Sequence, residues 1–304
     1  MFNYTHKTNF QYLSIIDKLG YIPRYSQYDK VLYDSIHKSL KTLGKSYAKA
    51  LLFNMCSLYG LSENELLTNY DLFEKSIYRI LGNTANLIID IIKKDMLRHV
   101  VLLDPDITVS DILNPTLTVD TILKRIHEAE VFNFVRKIQG GEHVIFLYEN
   151  QNSFTRILSA FFDPDVSATT PKGVLTILPY WDPKNNNNLT YNELLTSQND
   201  KAMKKFEHWI STLHSSNKSL YNQPTRIAEE DATWWLRNGF TEEFTLFEQS
   251  LKRHDNISFL CAFKISNLTH SDINTLKAII ASHRHIILED PFMIFRAQEV
   301  NQKR

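Results

Sequence analysis

Eleven histidines and two cysteines set the range of chemistry open to this 304-residue chain. His143 opens the apolar run HVIFLY, Cys261 sits inside ISFLCAFK, and HRH places His283 and His285 two residues apart. Glu248 lies in FTLFEQSL, with Phe244, Phe247 and Leu251 around it at helical spacing. A carboxylate beside an apolar face needs a partner, because an unpaired buried charge is costly. His143, Arg226 and His285 are the candidates, and a structural ion pair and a ligand contact are equally open. His283 and His285 would share a face if extended, and one carboxylate could complete a metal site with them. The run carries no further spaced partner, so no metal is assigned. Cys261 reads first as a small core hydrophobe, and a strand-edge histidine as a hydrogen-bonding residue.

Strand, polar turn and helix follow one another in HVIFLYENQNSFTRILSAFF, the order in which a nucleotide-binding protein places its phosphate loop. Such a loop needs glycines to turn amides toward phosphate, a Lys for the terminal phosphates and a Ser or Thr for magnesium. After Tyr148 the chain offers Glu149, Asn150, Gln151, Asn152, Ser153, Phe154 and Thr155, with neither Gly nor Lys. An acidic residue stands where phosphate charge would come, so triphosphate binding in the usual manner is not expected. GxSxG is absent, which leaves Ser-His-Asp chemistry without support. Trp234 and Trp235 in ATWWLRNGF read as core packing ahead of an apolar pocket.

These residues need elements to position them. Residues 30 to 99 have a helical period: Ala48, Leu51, Leu52, Met55 and Tyr59 fall on one face before Gly60, and Phe73, Ile77, Ile80 and Leu81 on another before Gly82. Thr84 offers an N-cap to a stripe through Ile88, Ile91, Ile92 and Met96, and Ser62 starts a short capped turn. The prediction is an all-helical module over residues 1–100, then a connector and linker helix over 101–140 with Val119, Ile122, Leu123, Ile126 and Ala129 on one face. That helix could act as a strut or as half of a dimeric pair.

From residue 141 to 304 the pattern alternates. Strands are predicted at HVIFLY, GVLTILPYW, TRIAE, ISFLCAFK and HIILE, with helices at SFTRILSAFF, KAMKKFEHWISTLHSS, FTEEFTLFEQSLKR and DINTLKAIIASH. Short apolar strands separated by amphipathic helices imply a mostly parallel sheet covered on both faces. DPKNNNNLTYNELL is polar and Asn-rich and reads as a surface loop.

Bulk properties narrow the classes. Hydrophobic residues make up 43% of the chain, and Lys+Arg and Asp+Glu are 34 each, so no net field draws it to nucleic acid or an anionic membrane. Cys56 and Cys261 lie far apart in apolar stretches, as reduced thiols of a cytoplasmic protein would. The N-terminus lacks the pattern of a signal peptide, and no apolar run reaches the roughly 20 residues of a membrane span.

The order HVIFLYENQNSF, TRIAEED, FTLFEQSL and ISFLCAFKISNLTHSDINTLKAIIASHRHII resembles the MEDS domain, the methanogen/methylotroph and dichloromethane-regulator sensory domain, over residues 141–292. The resemblance implies a RecA/KaiC-like fold without ATPase motifs, working beside other modules in prokaryotic signalling proteins. It points to His143, Tyr148, Glu229, Glu230, Glu248, Cys261 and His283 or His285, with His285 preferred, as ligand-binding positions. Phe263 stands where the family often has Tyr, and the glycine-rich spacing before the third strand is weak. The helical part, through LGKSYAKALLFNM, YGLSENELL and YDLFEKSIYRILG, resembles a small module that recurs in archaeal signalling proteins.

The expectation is therefore a non-catalytic, cytoplasmic sensory protein without a cofactor, taking an unidentified small ligand or signalling partner. His143 and His285 both begin strands, at the end of the sheet opposite to where α/β proteins bind ligands, which speaks against one simple site. Alternatives are a transcriptional regulator touching DNA through the helical module and a nucleotide-binding enzyme with an unfamiliar site. Residues 29–99 hold ten Lys/Arg against eight Asp/Glu, a faint footprint for DNA.

Overall fold

The computed structural model describes residues 7–23, 27–103, 118–162, 173–178, 188–190, 225–251, 255, 257–269, 272–289 and 292–297. Two compact units divide the chain: residues 1–5 with 25–130, and residues 6–24 with 131–304.

The first unit is helical. It holds α2 (Gln27–Lys41), α3 (Lys45–Tyr59), α4 (Glu63–Leu67), α5 (Tyr70–Leu81), α6 (Ala85–Leu103) and the first part of α7 (Val119–Arg136). Local chemistry sets the boundaries. Gly60 ends α3 in the left-handed conformation, and its N–H donates to Cys56 O. Ser62 and Glu65 form a reciprocal capping box at α4. The apolar stripes meet in one core that includes Leu32, Ile36, Met55, Phe73, Ile77, Ile92 and Met96, joined by Val119, Ile122 and Ile126 of α7. Tyr59 and Ile80, which the spacing puts on those stripes, are more than a third exposed.

The second unit carries α1 (Lys7–Lys18), β1 (Tyr21–Pro23), β2 (His143–Tyr148), α8 (Gln151–Phe162), β3 (Gly173–Leu178), β4 (Asn188–Thr190), β5 (Thr225–Glu229), α9 (Thr233–Arg237), α10 (Thr241–Leu251), β6 (Ile257–Lys264), α11 (Asp272–Ala281), β7 (His285–Leu288) and β8 (Met293–Ala297). Among the described residues eight strands form one sheet in the order β1-β8-β7-β2-β6-β5-β3-β4. The six from β7 to β4 run parallel, and β8 and β1 add an antiparallel edge. The expected α/β class and mostly parallel sheet are thus present.

Side-chain alternation sends successive residues to opposite faces. Ile145, Leu147, Ile227, Phe259, Cys261, Ile286 and Leu288 face a core built with α1, α9, α10 and α11. Val144, Phe146, Tyr148, Ala228, Leu260 and Ile287 face a second core built with α8 and the last part of α7. Helices therefore cover both faces. The β2-to-β3 crossover uses α8 on one face and the β6-to-β7 crossover uses α11 on the other, so adjacent β2 and β6 leave the sheet in opposite directions.

Three corrections follow. Residues 7–23, expected within a helical module of residues 1–100, belong to the sheet-bearing unit: Tyr12, Ile15, Ile16 and Tyr21 lie in its core, and β1 pairs with β8. An amphipathic helix does not encode which core it covers, and YIP is too short to announce a strand. The Asn-rich stretch expected to be a loop contributes β4, parallel to β3. MIFRA, not expected to be a strand, is β8. The helix expected at KAMKKFEHWISTLHSS lies outside the described residues. No helix among the described residues is long and apolar enough to cross a membrane.

Candidate functional site

The sequence-predicted residues separate into three places. Tyr148 and Glu230 stand at the carboxyl ends of the parallel strands, where adjacent strands leaving in opposite directions ordinarily open a ligand crevice. Tyr148 is buried between Phe146 and Phe154, and its hydroxyl donates to Glu230 O at 2.9 Å. Burial and the neighbouring Asp231 push the Glu230 carboxyl upward, and the Gln151 amide offsets this only in part. Asp231 accepts from the Thr233 N–H, the Thr233 hydroxyl, Arg237 and Asn267, so it organises the turn into α9.

The phosphate-loop position lies here too, and the chain fills it with its own acid. Glu289, just after β7, accepts from the backbone N–H groups of Glu149 and Asn150, the latter at 2.9 Å. Those amides precede α8, where helix N-terminal donors would face an anion. A carboxylate holding them repels a phosphate and removes its donors.

His285 occupies a second place. It faces the α7 side of the sheet, its ring 5.1 Å from that of Phe134. His283 and His285 do not share a face, because the segment is not extended through both. The reason is local: His283 still belongs to the turn that closes α11, its N–H donating to Ile280 O, and the strand begins only at His285. Arg226 also points to the α7 and α8 side. Its guanidinium donates to the carbonyls of Val135, Arg136, Ile138 and Phe161, the negative ends of two helices. Neither His285 nor Arg226 is therefore the partner of Glu248.

The third place lies under α10, toward the amino ends of the strands. His143, Glu248 and His283 converge there, each buried, with one ligand-capable atom from each within 4.8 Å of the others. His283 Nε2 lies 3.1 Å and His143 Nδ1 4.0 Å from Glu248 Oε2. Burial resists ionisation of Glu248, but the two imidazoles overcome it and hold its carboxyl well below the usual range. The elements fix this geometry. His143 starts β2 on the α10-covered face in register with Phe259, Glu248 rides the last turn of α10 beside buried Phe244 and Phe247, and His283 is set by the α11 turn.

Cys261 and Glu229 extend the polar group inward along the same face. The Cys261 thiol donates to Glu229 Oε2 at 3.2 Å, and Trp235 Nε1 donates to Glu229 Oε1. Burial, then the Glu229 and Glu248 carboxylates, raise the thiol pKa well above its ordinary value, so Cys261 is a protonated donor and a poor nucleophile. Trp235 is core and Trp234 stacks on Phe240, as the packing reading anticipated.

The sequence analysis named His283 but preferred His285. The signal that separates them is the closing helical turn, since His283 Nδ1 reaches Ile279 O, four residues back, at 2.8 Å. Comparison with protein-family models, curated proteins and solved structures finds no match for this chain.

Proposed function

We propose that the chain is a non-catalytic sensory protein of the MEDS kind, whose degenerate RecA-like unit binds a ligand within the polar group under α10. The single observation that carries this reading is a buried His143–Glu248–His283 cluster that leaves hydrogen-bonding capacity unmet inside an apolar core. Both ring nitrogens of His143 and both oxygens of Glu248 make no hydrogen bond, although Glu248 Oε2 stands in an ion pair 3.1 Å from His283 Nε2. Buried polar groups are nearly always satisfied, and an exception calls for an explanation such as a catalytic role, a water or an ion. The doubly wound order of the parallel strands supports the RecA-like assignment. The acid-filled phosphate position supports the loss of nucleotide turnover. Ligand binding would change packing between α10 and the sheet, and that change is the signal passed to a partner.

The test is a nucleotide titration of the full chain followed by melting temperature and phosphate release. A ligand that binds the folded state raises Tm with concentration. MgATP is expected to leave Tm unchanged and to yield no phosphate; hydrolysis lost on Glu248→Gln would overturn the reading.

A further inference from the structure

We infer that the His143–Glu248–His283 cluster is a binding site for a divalent first-row transition-metal ion. This names the ligand class and rests on the reading that the cluster under α10 is the binding site.

The proton inventory leads there. His283 Nδ1 lies 2.8 Å from Ile279 O, and a carbonyl can only accept, so Nδ1 carries a proton. Nε2 is then the atom facing Glu248 Oε2 at 3.1 Å. A neutral imidazole would put a nitrogen lone pair against a carboxylate lone pair, which is repulsive. Either a second proton or a cation between them resolves this. A proton satisfies His283 and Glu248 but leaves both nitrogens of His143, 6% exposed, without a partner. One metal ion would take a ligand atom from each of the three side chains, including one of the two His143 nitrogens that a proton leaves unmet.

The geometry agrees. Ligand atoms about 2.1 Å from a tetrahedral ion stand about 3.4 Å apart, between the two distances to Glu248 Oε2 of 3.1 and 4.0 Å. All three ligand atoms lie within 4.8 Å of one another, so the His143 ring must draw closer for one ion to bind all three. An imidazole that ligates a metal characteristically donates its other N–H to a backbone carbonyl or carboxylate, as His283 does. Two imidazoles with one carboxylate suit zinc, iron, cobalt or nickel, whereas magnesium and calcium take oxygen ligands. Cys261 donates its thiol proton to Glu229 Oε2 and is not counted among the ligands.

The experiment is equilibrium dialysis of the untagged full chain against Zn2+, with metal content and Tm measured for the wild type, His143→Leu and Glu248→Gln. One Zn2+ per chain is expected, with a Tm that keeps rising as zinc exceeds saturation. His143→Leu is the informative variant: it should fold, since His283 still pairs with Glu248, and lose at least tenfold in zinc affinity. Less than one-tenth Zn2+ per chain for the wild type overturns the proposal. So does zinc whose binding survives both substitutions. A small molecule whose Tm shift requires His143, with zinc inert, also overturns the metal assignment while leaving the sensory reading intact.

Discussion

The two ends of one parallel sheet treat polar groups in opposite ways. At the carboxyl ends the chain answers them internally: Glu289 takes the amides before α8, Tyr148 takes the Glu230 carbonyl, and Asp231 collects four donors. Toward the amino ends, under α10, His143 and Glu248 leave nitrogens and oxygens without hydrogen bonds. Buried polar groups without partners are costly, so a fold that keeps them has a use for them or a ligand that supplies the partner. Among the described residues, the loop position before α8 is filled by Glu289, and the polar group under α10 keeps atoms without hydrogen bonds.

Arg226 sharpens the contrast most, because it lies near the same amino ends on the other face and is extensively used. Replacing it with Met strands carbonyls at the ends of α7 and α8. We expect a loss of about 3 kcal/mol in urea unfolding, and Arg226→Lys should recover only part, since a point charge cannot span four acceptors. A loss under about 1 kcal/mol would mean that satisfaction there matters little.

Glu289 offers a way to break the contrast. Glu289→Ala frees the amides of Glu149 and Asn150 and should cost about 1–2 kcal/mol. It should also create a weak anion site, seen as a rise in Tm with phosphate in the variant and none in the wild type. A phosphate response already present in the wild type would show that the seat was never filled.

A smaller effect is expected at Asp95, a buried carboxylate of the helical unit that, unlike Glu248, is fully partnered by Ser35 and Lys38. Burial resists its ionisation, yet the hydrogen bonds from Lys38 and Ser35 hold its carboxyl below the ordinary value. With the folded value below an unfolded value of about 3.9, its contribution is complete above that pH and fades as pH falls through the folded value. Because Lys38 is largely exposed, Asp95→Asn should cost only about 1 kcal/mol, and the difference from wild type should shrink in acid-unfolding curves below about pH 4.

Much of this architecture is legible in the sequence because it is local. HVIFLY, TRIAE and ISFLCAFK coincide with β2, β5 and β6, and the Gly60 and Ser62 signals mark real helix ends. What escaped is non-local or short. Three-residue strands such as YIP and NLT are defined by their partners rather than their composition. The absent phosphate loop could be read from Glu149 to Thr155, but its filling by Glu289 joins residues 140 positions apart. Glu248 stood out as a carboxylate in an apolar helix, and His143 as one of its partners. His283 is the harder residue to place from sequence, because its position depends on the turn that closes α11 and not on strand alternation.

The most direct measurement is a side-by-side thermal-shift titration of the untagged full chain with Zn2+ and with MgATP. We expect zinc to raise Tm progressively and MgATP to leave it flat, placing the binding capacity of the sheet under α10. A rise with MgATP and none with zinc would reverse the comparison and return the site to the carboxyl ends of the strands.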